Sequence, residues 1–278
     1  MPENTIKLWE LTTAIGAREI DLPDLSSLDK IARQLPQGYY STFRTFDGAK
    51  RVLGLKAHLQ RLYRPAITQH IKYSMDSINL RKSLVEILST YKSEVRVRVI
   101  MTMQGQVYVA VEPLRPIPSE LYLHGVKVVT TNIQRENPRL KSTTFISASQ
   151  STRTRVAGSE FYEALLVRNG SILEGMTSNF FYVKKGSLGT ARNGILLGVT
   201  RQTVLRVTRG SGLDILYRPL KQEQVPALSE AFLTSSSRGI VPIVQIDAFV
   251  VGEGIPGHIT KMLMERYNEY VMQHAEKI

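Results

Sequence analysis

Three prolines near the middle of the chain limit the folds that it can adopt. Pro113, Pro116 and Pro118 lie within the stretch 112–119. Proline lacks the backbone donor and has a fixed φ angle, so this stretch favours an extended connector over an inner strand or a helix. A chain of 278 residues is long enough for two domains. We therefore expect an N-terminal domain over residues 1–115, a linker over residues 116–122 and a C-terminal domain over residues 123–278.

The expected N-terminal domain mixes helices and strands. Residues 95–101 and 107–111 are rich in β-branched side chains, and the glycine between them suits a turn, so the two runs predict a hairpin. Upstream, residues 55–70 and 78–91 carry apolar side chains at helical spacing. Together these patterns predict a compact α+β unit.

Short strands and helices alternate in the expected C-terminal domain. The pattern predicts strands over residues 125–130, 164–167, 179–183, 231–234 and 240–246. It predicts a helix over residues 200–208, and a one-sided apolar stripe from Ile259 to Val271 predicts a C-terminal helix. The chain has no internal repeat that would indicate a solenoid or a propeller.

The composition removes several classes of function. The chain has no cysteine, so disulfides, thiolate nucleophiles and cysteine metal sites are excluded, and no metal-ligand spacing is present. The formal net charge of +12 favours anionic partners. The basic residues are scattered, however, so we expect no nucleic-acid partner, and a non-catalytic basic binding protein is a remote alternative. Since no apolar run approaches the length of a bilayer, we expect no membrane association and a cytoplasmic location.

Four short segments from residue 137 onward contain residues suited to catalysis and anion binding. Lys141 lies among apolar and uncharged neighbours, which favour the neutral, nucleophilic amine. Glu174 opens the sequence EGMTSN between two predicted strands, and a carboxylate there can accept charge-assisted hydrogen bonds. Gly198–Arg201 precedes a predicted helix, whose first backbone amides can bind a phosphate. The serine triplet Ser235–Ser237 supplies further hydroxyl and amide donors.

The order and spacing of these segments resemble those of the class IV (fold type IV) pyridoxal-phosphate aminotransferases. This family includes branched-chain aminotransferases, D-amino-acid aminotransferases and aminodeoxychorismate lyases. The resemblance is densest from Lys141 to the end, and it extends over residues 38–61, where His58–Arg61 is similar to a His-x-x-Arg of the family. It implies a two-domain α+β fold, with a small N-terminal α/β sandwich and a larger C-terminal β-barrel-like domain with helices. It also implies pyridoxal 5'-phosphate as cofactor, amino acid and keto acid substrates, and a homodimer.

The resemblance also assigns roles to individual residues. Lys141 is expected to be the catalytic residue and to form an aldimine with the cofactor. The carboxylate of Glu174 is expected to favour protonation of the pyridine nitrogen, because the cofactor draws electrons only while that nitrogen is protonated. The remaining roles are phosphate binding by Arg61, Val199, Thr200, Ser236 and Ser237, and substrate contacts by Tyr40 and Arg98.

Several positions favour some members of the family over others. D-specific transaminases characteristically have Arg-Gly where this chain has Met101–Thr102, which argues against a D-amino acid substrate. Arg98 lies near the arginine of a Tyr-x-Arg strand in branched-chain enzymes, although Arg96 replaces the tyrosine, and Thr42 matches a threonine of the lyases. We therefore expect transamination of an L-amino acid, branched-chain or similarly apolar, with a 2-keto acid. The alternative is an aminodeoxychorismate lyase that releases 4-aminobenzoate and pyruvate, and a D-amino-acid transaminase ranks below both.

Overall fold

The computed structural model describes residues 5–278, which form two compact units. The first unit comprises the chain up to Arg115 together with Leu140–Ala148 and His274–Ile278. The second comprises Pro116–Arg139 and Ser149–Gln273. Two later segments therefore return to the first unit, which a single division near the prolines does not anticipate. No helix within residues 5–278 is long and apolar enough to span a membrane.

Strands and helices alternate through both units. The strands are β1 (Lys7–Thr12), β2 (Gly16–Ile20), β3 (Gly38–Arg44), β4 (Arg51–Val52), β5 (Val95–Thr102), β6 (Val107–Pro113), β7 (Val126–Thr131), β8 (Glu163–Arg168), β9 (Ser171–Gly175), β10 (Asn179–Lys184), β11 (Ser187–Gly189), β12 (Ile215–Leu216), β13 (Leu220–Lys221), β14 (Glu230–Ser235), β15 (Gly239–Ile246), β16 (Phe249–Val250) and β17 (Glu276–Lys277). The α-helices are α1 (Leu28–Gln34), α2 (Leu55–Thr68), α3 (Ser77–Ser89), α4 (Ser119–Leu123), α5 (Thr144–Ala148), α6 (Gln150–Ala157), α7 (Val199–Arg209) and α8 (His258–His274), and a 3₁₀ helix covers Gln222–Ala227. The helices and strands expected from the sequence all form, and their ends lie within three residues of the expected positions.

Residues 114–118 form neither helix nor strand, but the expected linker over residues 116–122 also contains a short helix. Helix α4 begins directly after Pro118, because a proline at the start of a helix removes only a donor that has no partner there. Ile117, Leu121 and Tyr122 pack against the core of the second unit. Part of the expected linker is therefore packed against the second unit.

The first unit is built on a five-stranded antiparallel sheet with the order β2-β1-β6-β5-β3. The expected hairpin of β5 and β6 forms, with Val99 opposite Val109. Successive side chains of β5 point to opposite faces. Val97 and Val99 therefore pack with α2 and α3, whereas Ile100 packs with α1. Helices cover both faces of the sheet, as expected for an α/β sandwich.

The second unit contains a closed ring of strands. Its sheet runs β10-β14-β15-β7-β8-β9, and an additional pairing of β9 with β10 closes the ring. The closing contact is a single pair, Glu174 opposite Asn179. The barrel-like domain expected from the sequence is therefore confirmed, and its closing pair includes one of the expected site residues.

Two aromatic rings illustrate how tightly the strands of the second unit pack. Phe181 on β10 and Phe232 on β14 are cross-strand neighbours, are completely buried and stack with their ring centroids 5.0 Å apart. Such pairs add to the burial of apolar area that stabilises the sheet.

We predict that Phe232→Ala lowers the free energy of unfolding by about 3–5 kcal/mol, because it removes a buried ring and leaves a cavity. Phe249→Ala is the matched control: this ring is 49% exposed, and its loss should change stability by less than about 0.5 kcal/mol. Urea denaturation of the three proteins measures the difference. Equal stability of the two variants would contradict the packing described here.

Candidate active site

In the first unit, Lys141 is held in place by the edge strand of the sheet. The Tyr40 amide donates to the Lys141 carbonyl over 2.8 Å, and the Thr143 amide donates to the Gly38 carbonyl over 2.9 Å. The Thr143 hydroxyl in turn accepts from the Gly38 amide at 3.0 Å. The short segment that follows Lys141 thus continues the backbone hydrogen bonding of β3, and the position of the lysine depends on that strand.

The ring of Tyr40 lies beside two cations. The Lys141 Nζ atom is 4.8 Å from the ring centroid, and the Arg98 guanidinium carbon is 4.7 Å from it. Tyr40 is 4% exposed. The negative face of an aromatic ring attracts such cations, so the ring helps to orient both side chains. The structure therefore brings Tyr40, Arg98 and Lys141 together.

Arg98 is engaged by groups of the protein itself. Its Nη1 atom lies 2.8 Å from the Asp29 carboxylate and donates to the Leu28 carbonyl over 2.8 Å, and its Nε donates to the Thr42 hydroxyl over 3.1 Å. A guanidinium has five N–H donors, and these three contacts account for three of them. Arg98 thus connects the start of α1 to the sheet.

His58 and Arg61 lie one turn apart on α2. The His58 ring is 1% exposed, and its Nδ1 is 2.8 Å from the buried Ser41 hydroxyl on β3. Burial holds the pKa of His58 well below its usual value of 6.5, and the positive charges of Arg61 and Lys141 lower it further. The imidazole is therefore neutral, and its bond to Ser41 fixes the position of α2, including Arg61, relative to the sheet.

We predict that the buried neutral His58 makes stability depend on pH. The unfolded chain binds a proton at this histidine below about pH 6.5, whereas the folded chain resists it, so the free energy of unfolding falls as the pH drops below that value. The expected slope is up to about 1.4 kcal/mol per pH unit for one proton. Urea denaturation between pH 7.5 and pH 5 should show that His58→Gln has a flatter dependence than the wild type. His258→Gln, at an exposed position, serves as the control and should keep the wild-type slope.

In the second unit, Glu174 is a buried carboxylate with several donors. It is 2% exposed and forms an ion pair with Arg135, whose Nε donates to Oε1 over 3.2 Å. Its Oε2 accepts from the Asn179 side-chain amide at 3.2 Å and from the Leu196 backbone amide at 2.9 Å. A carboxylate is tolerated at such a depth only when it is paired and hydrogen-bonded. These donors fix the carboxylate at the closing point of the barrel.

The same asparagine connects Glu174 to the start of α7. The Asn179 side-chain amide also donates to the Leu196 carbonyl over 2.7 Å, and a Cβ at position 198 would overlap its oxygen. Gly198 is the N-cap of α7 and makes no side-chain cap, and the buried residues Val199 and Thr200 follow it. The first amides of a helix lack intrahelical acceptors and lie at the positive end of the helix dipole. The start of α7 is therefore suited to bind an anion.

Ser236 and Ser237 lie in the tight turn between β14 and β15, where Ser235 pairs with Gly239. One residue earlier, Thr234 pairs with Asn179 on β10. The strand register therefore places the turn at the same end of the barrel as the Glu174–Asn179 pair. Within the second unit, the structure brings together Glu174, the start of α7 and the serine turn.

Sequence reasoning missed four residues that support this arrangement: Arg135, Glu163, Asn179 and Arg238. Asn179 belongs to the recognised EGMTSN segment, so its position was noticed but its contact with the carboxylate was not. The other three are single charged residues without a motif, and each has a partner at least 14 positions away in the chain. Only the folded barrel reveals them.

Comparison with known proteins assigns the chain to a family. Residues 38–246 match the family model described as amino-transferase class IV. The chain is a class IV aminotransferase. The family, the fold and the class of reaction expected from the sequence, transamination dependent on pyridoxal phosphate, are thereby confirmed.

Individual relatives in this aminotransferase family carry two kinds of name. A Thermotoga maritima protein named as a probable branched-chain-amino-acid aminotransferase is 30% identical over 267 residues, which are 94% of this chain and 94% of that protein. The D-alanine aminotransferase of Bacillus licheniformis is 23% identical over 261 residues, which are 88% of this chain and 91% of that protein. The crystal structure of the Escherichia coli branched-chain amino acid aminotransferase superposes with a TM-score of 0.80 at 19% identity and covers 98% of this chain and 96% of that one.

Proposed function

We propose that this aminotransferase transfers the amino group of an apolar L-amino acid, branched-chain or similar, to a 2-keto acid. The observation that carries the proposal is the buried Glu174, whose donors also define the uncapped start of α7. Among the relatives described above, both the branched-chain and the D-alanine enzymes are transaminases. Met101–Thr102, which stands where D-specific enzymes are expected to have Arg-Gly, favours the L-amino acid.

The residues present fit pyridoxal 5'-phosphate. The uncapped start of α7 suits a phosphate, and the buried carboxylate suits a protonated ring nitrogen. When bound, the cofactor supplies a carbonyl group for the substrate amine and a ring that withdraws electrons from the substrate α-carbon. We propose that Glu174 accepts a hydrogen bond from the ring nitrogen. The phosphate is held, in this proposal, by Arg61, Val199, Thr200, Ser236 and Ser237.

Lys141 is proposed as the residue that attaches the cofactor covalently and moves the α-proton. Its amine is held near the ring of Tyr40, and its backbone is fixed to β3. A lysine that transfers a proton must keep one orientation through the reaction, and these contacts supply it. The amine can then act as nucleophile and as general base at one place.

Tyr40 and Arg98 are both proposed as substrate contacts. Three donors of Arg98 are bonded to Asp29, Leu28 and Thr42, and its guanidinium lies against the Tyr40 ring. These contacts use three of the five donors of the guanidinium and hold it against the Tyr40 ring.

The other sequence-based expectations remain part of the proposal. They are a homodimer, a cytoplasmic location, no nucleic-acid partner and a domain boundary close to residue 115. The lyase alternative is also kept, because Thr42 lies where lyases have a threonine, and it predicts a different product.

A half-reaction screen tests the proposed function. Protein loaded with pyridoxal phosphate should show a change in cofactor absorption with L-leucine but little change with D-alanine, and borohydride reduction before the reaction should place the pyridoxyl group on Lys141. Lys141→Ala should slow the half-reaction by about 10²- to 10⁴-fold, the usual contribution of a positioned acid–base group. Lys261→Ala, on the exposed side of α8, should not.

Two outcomes of this screen would contradict the proposal. Release of pyruvate and 4-aminobenzoate from aminodeoxychorismate without a keto acid would establish the lyase instead. Labelling of a lysine other than Lys141 would remove its assignment, even if transamination were observed.

A further inference from the structure

A second buried carboxylate, Glu163, lies at the start of β8. It is 3% exposed, and its Oε1 accepts from the Thr177 amide at 2.6 Å, the Thr177 hydroxyl at 3.1 Å and the Ser178 hydroxyl at 3.0 Å. Thr177 and Ser178 lie in the loop between Glu174 and Asn179. Glu163 thus holds the loop that follows the proposed ring-nitrogen partner.

The other oxygen of Glu163 binds Arg238, which ends the serine turn. The Arg238 Nη2 atom donates to Glu163 Oε2 over 3.0 Å and to the Thr177 hydroxyl over 2.6 Å, while its Nε donates to the Ser235 hydroxyl over 2.9 Å. The guanidinium also lies over the Tyr162 ring, 5.4 Å from its centroid. Arg238 therefore links the loop after Glu174 to the turn that contains Ser236 and Ser237.

The environment of Arg238 favours its positively charged form. Burial by itself lowers the pKa of the guanidinium, but Glu163 and Tyr162 more than offset that effect, so the pKa lies above its usual value. Its backbone is also anchored, because the Tyr122 hydroxyl donates to the Arg238 carbonyl over 2.8 Å. The pair is consequently a fixed ionic connection.

A glycine beside the proposed site depends on this connection. A Cβ on Gly175 would overlap Glu163 Oε1 and the Ser178 hydroxyl. The residue directly after Glu174 must therefore be glycine if Glu163 is to reach the loop. Glu163 thus shapes the same segment that holds Glu174.

We propose that Glu163 and Arg238 are a positioning pair that sets the serine turn relative to Glu174 and thereby the affinity for the phosphate end of the cofactor. This inference rests on the proposed function, because it assumes that Ser236 and Ser237 hold the phosphate. In this proposal Arg238 acts through the turn and not by contact with the phosphate, and three of its donors are bound to Glu163, Thr177 and Ser235. Loss of either partner should weaken phosphate binding.

The opposite charges of the two residues distinguish positioning from simple electrostatic attraction. If Arg238 acted only by its positive charge, removal of the negative charge in Glu163→Gln would tighten the binding of a phosphate. If the pair positions the turn, Glu163→Gln and Arg238→Gln each weaken phosphate binding to a similar extent. The double variant then binds no more weakly than the single variant that has the lower affinity. Arg238→Lys keeps the charge but loses the planar fork, so it should also weaken binding.

The test titrates the cofactor-free protein with pyridoxal phosphate and, separately, with pyridoxal, which lacks the phosphate. Both Gln variants should raise the Kd for pyridoxal phosphate about tenfold, which corresponds to the loss of a charge-assisted hydrogen bond, and should change the Kd for pyridoxal less than about twofold. Arg168→Gln, an exposed arginine at the end of the same strand as Glu163, should match the wild type for both ligands. Arg238→Lys gives the same comparison if either Gln variant fails to fold.

The outcomes separate this inference from the proposed function. Tighter binding in Glu163→Gln, wild-type affinity in Arg238→Lys, or equal losses for the two ligands would each overturn the positioning role while leaving transamination intact. Failure of the wild-type protein to bind pyridoxal phosphate at all would overturn the proposed function and this inference together.

Discussion

The arrangement of the second unit depends on how it accommodates the buried carboxylate of Glu174. An uncompensated charge at 2% exposure would cost several kcal/mol, so the fold surrounds it with donors from Arg135, Asn179 and Leu196. Asn179 is also the partner of Glu174 in the single pair that closes the barrel. The residue pair that closes the barrel therefore also fixes the carboxylate.

The hydrogen bonds around the carboxylate also constrain the neighbouring parts of the structure. Because Asn179 bonds to both Glu174 and the Leu196 carbonyl, position 198 has no room for a side chain, and the helix that follows starts without a side-chain cap. On the neighbouring strand, Glu163 connects the next loop to Arg238. Two carboxylates on adjacent strands thus tie the start of α7 and the serine turn to the barrel, which preorganises their donors before a ligand arrives.

The sequence predicted the parts of the fold that have strong local patterns. The β5–β6 hairpin and the helices α2, α3, α7 and α8 were visible because apolar residues recur at the period of the element. Strands β1 and β2 were not predicted: charged residues interrupt them, and they are stabilised by pairing with β6 and with each other. Helix α4 was missed because prolines precede it, although a proline at that position is compatible with a helix start.

The candidate site was predictable where motifs carry the chemistry and not where single residues do. Lys141, Glu174 and the start of α7 were found from their order in the chain. The Asp29–Arg98 pair, which directs Arg98 toward α1, joins residues 69 positions apart and has no sequence signal. Closure of the barrel by one residue pair also has no sequence signal, because a single pair of residues produces no periodic pattern.

The central claim is that the carboxylate of Glu174 is the partner of the cofactor ring nitrogen, and one measurement tests it directly. The ¹⁵N chemical shift of the ring nitrogen should be recorded for the wild type and for Glu174→Gln, each loaded with ¹⁵N-labelled pyridoxal phosphate. The account predicts a protonated pyridinium in the wild type and an unprotonated nitrogen in Glu174→Gln, because the neutral amide no longer favours the cation. The same protonated shift in both proteins would contradict it.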